Sequence, residues 1–399
     1  MAQGILSGLR VIDCSTYIAG PAAAVILSDF GADVIKIERP PYGDPYRYLV
    51  QVQGMPVSDQ NYCWMLDARN KRSVALNLSD PEAREALLKM VRGADIFITN
   101  YQPQLQRKFR LEYADLSAIN PKLIYASVTG YGEIGEDAEK PGYDATAYWA
   151  RSGLMHTMHN GDAEPVQSPA GFGDHPTSMT VFAGIMLALY RRQLTGEGSR
   201  VTTSLMANGA WSNSCLIQAA LCGATFLPKW TRKNAINPLV NHYVTRDGAR
   251  IFFCLLDPVR DWPNLCRALE FPELIEDPKF STAAARRENS AELIAKMDHA
   301  FAQCDLSHWA PVLKKFDLIW GPVPSPAQVA QDPQPDQNHV FMELAPGLKT
   351  VQNPIRVEGL EKIAPRMAPG IGEHTRQVLG EIGYSEQDIQ QMIERGAAQ

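Results

Sequence analysis

The tightest constraint on the fold lies in residues 8 to 38, which read as strand, glycine turn, helix and strand. Leu9-Arg10-Val11-Ile12-Asp13 is a short apolar run, Ala19-Gly20-Pro21 opens an alanine-rich helical stretch, and Asp33-Val34-Ile35-Lys36-Ile37-Glu38 is a second run. Two strands separated by a helix cannot close as a tight hairpin, so the helix crosses over and the strands pair in parallel. Ser73 to Leu78, Asp95 to Thr99, Leu123 to Val128 and a strand around Arg200 to Leu205 continue the pattern, alternating with helical stretches such as Pro81 to Arg92. The first two hundred residues therefore predict an α/β, doubly wound parallel sheet. The turn at Gly20 lacks G-x-G-x-x-G and no G-x-x-x-x-G-K-[ST] occurs, so neither NAD nor ATP is indicated.

Residues 177 to 193 form a nearly all-round apolar helix, expected to lie buried and stopped by Thr195-Gly196-Glu197-Gly198. Beyond Asn213, Asn241 to Thr245 and Ala249 to Leu255 flank Arg246-Asp247-Gly248, a hairpin signature, and helices with proline-rich joints follow to Phe316. This predicts a second, smaller α/β domain. Residues 317 to 370 carry many prolines and little periodicity and read as an extended return segment, and Glu373 to Arg395 closes with amphipathic helices.

Composition narrows the function. Lys plus Arg number 38 against 44 Asp plus Glu, a net charge of −6, and no basic block appears, so nucleic acid is not the expected partner. The seven cysteines are scattered and never spaced C-x-x-C, which suits a reducing cytoplasm rather than a disulfide framework or zinc ribbon. The first ten residues lack a secretory signal's apolar run, and Met179 to Tyr190 falls short of the roughly 20 residues a membrane span needs. A soluble cytoplasmic protein is expected.

Among candidate chemical groups, Asp174 is the most suggestive, set in Ala170-Gly171-Phe172-Gly173-Asp174-His175-Pro176-Thr177 where the apolar helix begins. Read alone, it is most simply an N-cap. A helix start also offers free N–H groups and a positive dipole end, which would keep the carboxylate ionised and suit it to attack an acyl group. His156-x-x-His159 has no third ligand nearby, so no metal is expected. No G-x-S-x-G elbow occurs. Arg39, Lys71, Arg72, Arg107 and Lys108 follow strand ends, where open parallel sheets collect ligands, with solvated charge as the plain alternative for each.

Ten short segments, in order along nearly the whole chain, resemble the family III CoA-transferases (the CaiB/BaiF family), which include formyl-CoA:oxalate, carnitine and bile-acid CoA-transferases. They are Leu9 to Asp13 with Ala19-Gly20-Pro21, Gly31 to Glu38, Asn70-Lys71-Arg72-Ser73, Gly130-Tyr131-Gly132, Gly142-Tyr143-Asp144, Gly173-Asp174, Thr195 to Gly198, Asn241-x-Tyr243 before Asp247-Gly248, Gly321-Pro322-Val323 and Gly372-Glu373-His374-Thr375. The resemblance implies a large Rossmann-like CoA-binding domain from residues 1–215 and 330–399 and a small α/β domain from 225–325. Extended linkers are implied around 216–224 and 326–370, and two chains are implied to interlock as a homodimer.

The resemblance also implies that Asp174 is the nucleophile, with Gly173 and Tyr143 in the catalytic site and Gly171 and Gly173 as candidate oxyanion donors. CoA-binding positions map to Ile18, Arg39, Leu76, Asn100, Tyr101 and Lys108, with Arg107 as an alternative to Lys108. Coenzyme A enters as acyl-CoA substrate, a carboxylic acid is the second substrate, and no permanently bound cofactor is implied. Ile18 stands where the oxalate-using branch carries glutamine, and no run of three glycines supplies that branch's flap, so a larger or less polar monocarboxylate is the expected acceptor. Two alternatives are a 2-methylacyl-CoA racemase and a non-catalytic acyl-CoA binder. The racemase would need a histidine where Tyr143 stands, or compensation by His156 or His175, since a phenol titrating near 10 exchanges protons poorly.

Overall fold

The computed structural model describes residues 4–161 and 163–399. Two compact units emerge, one from Met1–Thr157, Val166–Gly223 and His339–Gln399, the other from Met158–Pro165 and Ala224–Asn338.

In the first unit, strands β1 (Arg10–Cys14), β2 (Asp33–Glu38), β3 (Arg72–Ala75), β4 (Ile96–Thr99), β5 (Ile124–Thr129) and β6 (Ser199–Ser204) form one parallel sheet in the order β3-β2-β1-β4-β5-β6. The crossover helix Ala19–Asp29 has no exposed residue. Neighbouring strand residues point to opposite faces and feed two cores. Val11, Val34, Ile96, Ile98 and Ile124 pack with Ala23, Leu27, Val181 and Ile185 on one face. Ile12, Ile35, Phe97 and Tyr125 pack on the other with Leu87 and Met90 and with Val378, Leu379 and Met392 from the chain's end.

The C-terminal segment is tied down by long-range hydrogen bonds. Asn353 Nδ2 donates to Asp29 Oδ2 at 2.8 Å, Trp64 Nε1 to the Pro369 carbonyl at 2.9 Å, and the Ala75 N–H to Thr375 Oγ1 at 3.0 Å.

The second unit is built on a three-stranded antiparallel sheet, β7 (His242–Val244), β8 (Arg250–Phe253) and β9 (Trp320–Pro322). Tyr243, Phe253, Phe301 and Trp309 form its aromatic core with helices that include Ser290–Phe301 and Leu306–Lys315.

Three expectations change. Residues 216–221, expected as linker, belong to the helix Ser214–Leu221. The segment expected to be extended holds β9, the short helices Pro326–Val329 and Pro333–Gln337, and the hairpin β10 (Phe341–Ala345) and β11 (Leu348–Val351). Pro326 and Pro333 open helices instead of breaking them, because Ser325 and Asp332 accept the orphan N–H groups of Gln328 and Gln334 ahead of a residue that needs none. The helix Asp174–Thr195 is not buried all round. Val181, Ile185 and Ala188 face the sheet, whereas Leu187 is 73% and Tyr190 63% exposed, since one helix face suffices to cover the strands.

Candidate active site

The strand order reverses direction between β1 and β4, and an open parallel sheet leaves a crevice at the carboxyl ends of strands at such a point. A cleft of about 510 Å³ lies there. Its walls come from Thr16 to Ala19 after β1, Asn100 to Gln102 after β4, Val128 to Gly130 at the end of β5, and the segments holding Tyr143, Asp144, Gly171 and Asp174.

The loop after β1 is held from three directions. Asn100 accepts from the Thr16 N–H at 2.8 Å and donates from Nδ2 to the Thr16 carbonyl at 2.7 Å. The Tyr17 N–H donates to Asp44 Oδ1 at 3.0 Å, and Asp44 Oδ2 is 2.8 Å from Lys36 Nζ. Lys36 also donates to the Ser15 carbonyl. Lys36 and Lys71 share Asp13, at 3.7 and 2.8 Å from its Oδ2. All four charged groups are buried. Burial alone would raise the Asp13 carboxyl, but the two ammonium groups hold it below its usual range. Burial opposes the Lys36 charge, and Asp13 and Asp44 more than restore it. The outcome is Tyr17 at φ 62°, a left-handed conformation unfavourable for a bulky side chain, fixed at the cleft wall.

This corrects the expectation for two basic residues. Lys71 donates to Asp13 and to the Pro21 carbonyl, each at 2.8 Å, and belongs to the buried scaffold. Arg72 forks onto Asp33 at 2.9 and 2.6 Å and reaches Glu381 at 2.7 Å. Neither side chain is available to a ligand.

Asp174 is the first residue of its helix, and Gly173 is the N-cap. The reading of Asp174 as a cap is therefore corrected by one position, and its carboxylate is left to face the cleft. Gly173 is required by packing, since a Cβ there would fall 2.3 Å from Tyr148 Cγ. Its N–H points at Asp144 Oδ2, 3.4 Å away, so it is not a free oxyanion donor. The His175 and Thr177 N–H groups bond the Gly171 and Gly173 carbonyls, each at 3.2 Å. Pro176 has no N–H. The expected ionising influence of the helix start is outweighed. Burial, with the Asp144 carboxylate and against the pull of His175, raises the Asp174 carboxyl to about 7.

Tyr143 precedes a one-turn π-helix, Asp144–Ala150, which gives Asp144 and Tyr143 to the cleft. Such turns recur at functional sites. Tyr143 is exposed, with its ring edge-on to Tyr17 at 5.4 Å.

Known proteins agree with this architecture. The model of CoA-transferase family III matches residues 6–375. The chain belongs to that family. It is 32% identical to the (R)-2-hydroxy-4-methylpentanoate CoA-transferase of Clostridioides difficile, over 96% of this chain and 97% of the relative. It is 31% identical to the succinyl-CoA:glutarate CoA-transferase of Mus musculus, over 97% and 89%. A CaiB/BaiF family protein from Brucella suis superposes with a TM-score of 0.83 at 28% identity, covering 96% of this chain and all of that one. The protein is thus an enzyme of the CoA-transferase class.

In this family III CoA-transferase, Ile18, Asn100, Tyr101, Tyr143 and Asp174 line the same cleft. Gly173, next to Asp174, is not among the lining residues, and a side chain there would meet the Tyr148 ring. The other positions expected to bind CoA do not line it. Leu76 is buried in the core and bridges Ala398, so its side chain cannot reach a ligand. Arg107 is engaged by Glu139 at 2.5 Å. Lys108 is exposed, with its ammonium 5.4 Å from the Phe109 ring, and Arg39 is exposed after β2. Asn100 serves the loop first, because both ends of its amide are spent on Thr16.

Sequence reasoning missed Tyr17, Asp144, Tyr46 and Asp67. Asp144 stood inside a quoted segment, and its place beside Tyr143 was the available signal. Asp67 had none, because it meets His175 from 108 positions away. Among the described residues, no group of three or more His, Cys, Asp or Glu could hold a metal, and no helix is long and apolar enough to cross a membrane.

Proposed function

We propose that the enzyme moves CoA from an acyl-CoA thioester to a free carboxylic acid through Asp174. The observation that carries this reading is the placement of the Asp174 carboxylate at a helix start inside the cleft at the sheet's switch point. An Asp174 oxygen attacks the thioester carbonyl, the C–S bond breaks, and an aspartyl-acyl anhydride and CoA thiolate form. The thiolate attacks the aspartyl carbonyl, releasing the donor as a carboxylate and leaving an aspartyl-CoA thioester. The acceptor carboxylate then attacks that thioester, and the returning thiolate takes the new acyl group and restores Asp174. No net proton is consumed. The Gly171 and Asp174 N–H groups, both on residues lining the cleft and neither spent on a bond among the described residues, are the candidate donors to the oxyanion.

The cleft's Ile18, Leu49, Leu105, Val128 and Leu205 favour an acceptor with an apolar body, a larger monocarboxylate, in line with the branched hydroxy acid in the name of the Clostridioides relative. Arg39 and Lys108, both exposed, are the candidates for the CoA phosphates; Arg107 is already paired. The exposed Leu187 and Tyr190 of the helix Asp174–Thr195, and Trp211, 80% exposed on the separate helix Leu205–Ser212, support a homodimer, and the family resemblance suggests that its chains interlock. Seven free thiols, with Cys215 and Cys222 exposed, suit a cytoplasmic setting.

Of the two histidines that could compensate in a racemase, His156 is not among the residues lining the cleft, and both ring nitrogens of His175 are committed, to the Gly171 carbonyl and to Asp67. The discriminating experiment incubates the enzyme in D2O with a panel of acyl-CoA donors and free acids and follows each CoA ester by mass spectrometry. New esters without carbon-bound deuterium support transfer. Deuterium at the α-carbon of an unchanged ester supports racemisation. Binding of acyl-CoA with neither change marks a non-catalytic binder.

A further inference from the structure

His175 directly follows Asp174, and both of its ring nitrogens face atoms that only accept hydrogen bonds. Nδ1 lies 3.1 Å from the Gly171 carbonyl oxygen and Nε2 lies 3.3 Å from Asp67 Oδ1. A carbonyl and a carboxylate have no hydrogen to offer. Both contacts can be hydrogen bonds only if each nitrogen carries its own proton, and an imidazole with two N–H groups is a cation.

The partner carboxylate is itself fixed. Asp67, in the helix Tyr62–Ala68, is buried, and its Oδ2 accepts from the Tyr46 hydroxyl at 2.7 Å. Tyr46 is buried as well, and its N–H donates to Asp44 Oδ1 at 2.9 Å, which links it to the scaffold beneath Tyr17. Tyr46 spends its proton on Oδ2, so Oδ1 remains for His175.

The charged groups acting on Asp174 are Asp144 from the π-helix, Asp67 from the helix Tyr62–Ala68, and His175 on its own helix. Those acting on His175 are Asp67 and Asp174, and Cys63 interacts with Tyr46 and feels the Asp67 charge. Two carboxylates, Asp67 and Asp174, thus act on the imidazole, and Asp144 and Asp67 act on Asp174.

We propose that His175 is a positioning residue, held as an imidazolium between Gly171 and Asp67, and that this built-in cation allows Asp174 to ionise beside Asp144. Burial works against the His175 charge, but Asp67 and the Gly171 carbonyl lift its ionisation to about 9, above the range in which Asp174 titrates. His175 is thereby a counter-charge rather than an acid or base. The inference rests on the reading of Asp174 as nucleophile only for its effect on turnover, since the ionisation itself is measurable without turnover.

The test uses full-length enzyme carrying 15N-histidine and 13C-carboxyl aspartate, as wild type, His175→Gln and Asp67→Asn. In wild type, both His175 nitrogens should show imidazolium shifts at pH 7.5, and the Asp174 carboxyl should titrate near 7. In His175→Gln, that titration and the acidic limb of kcat/KM should move up by about one unit, so that activity falls about tenfold at pH 6 and recovers at pH 9. Asp67→Asn, which keeps the shape, should lower the His175 titration, and it carries the test if His175→Gln does not fold. A neutral His175 at pH 7.5 in wild type, an unmoved Asp174 titration in His175→Gln, or an unmoved His175 titration in Asp67→Asn overturns the proposal. Transfer that survives in Asp174→Asn instead overturns the nucleophile reading, and the NMR result stands apart from it.

Discussion

Tyr17 and Tyr143 meet edge to face at the cleft wall, their ring centroids 5.4 Å apart and their planes at 83°. One ring stands on a left-handed residue whose N–H is held by Asp44, next to Thr16, which Asn100 holds, and the other on the residue that caps a π-turn. Burial, then the Tyr143 hydroxyl, pushes the Tyr17 hydroxyl up to about 12, so it stays protonated at any working pH. Replacing Tyr17 by glycine suits the φ of 62° and removes only the ring. Tyr17→Gly should change stability by no more than about 1 kcal/mol, as relief of strain offsets the lost aromatic contact, and should lower kcat/KM for CoA exchange about tenfold. Unfolding curves and initial rates on one preparation check both parts.

The ion cluster beneath that loop should behave as scaffold. Lys36→Met leaves Asp44 buried with no cation beside it and should cost about 3–5 kcal/mol in urea unfolding. Adding Asp44→Asn should return part of that loss, because the stranded charge is gone. Equal stability of the single and double variants would mean that the cluster does not act as a unit.

The raised Asp174 carboxyl carries a stability signature of its own. Its folded value of about 7 exceeds the unfolded value near 4, so the fold holds a proton that the unfolded chain has released. Its cost is absent below about pH 4, grows between 4 and 7, and is complete above 7. Asp174→Asn should therefore be more stable than wild type at pH 8, by about 1–3 kcal/mol, with the difference vanishing as pH falls towards 4. Melting curves of both proteins across that range read the effect directly.

The exposed apolar side chains of two helices, Leu187 and Tyr190 of Asp174–Thr195 and Trp211 of Leu205–Ser212, predict self-association. Leu187→Glu combined with Trp211→Glu adds charge where both side chains are already exposed in one chain. Sedimentation should report a dimer for wild type and a monomer for the double variant, with an unchanged circular dichroism spectrum. A monomeric wild type would contradict this.

Much of the first unit's sheet was legible because a parallel strand buried on both faces reads as a near-continuous apolar run, as Asp33 to Glu38 does. The strand ends moved by only one to a few residues, as where Ser73 to Leu78 became Arg72–Ala75. Asp174 was legible as a carboxylate at a helix start, but its ionisation was not. The raising groups, burial and Asp144, come from tertiary structure, whereas local sequence showed only the dipole. Lys71 and Arg72 looked like ligand contacts because a strand end is visible in sequence, while the Asp13, Asp33 and Glu381 that consume them are distant along the chain. The π-turn at Asp144 left no periodic trace, since one turn is too short to show a period.

Covalent chemistry at Asp174 is open to trapping. The enzyme is mixed with an acyl-CoA donor and hydroxylamine, digested, and the peptide containing Asp174 is examined by mass spectrometry. A hydroxamate at Asp174, dependent on the donor and absent when no CoA ester is added, is the predicted result. Transfer of CoA to an acceptor acid in the same mixture, with Asp174 unmodified and another carboxylate labelled, would contradict it.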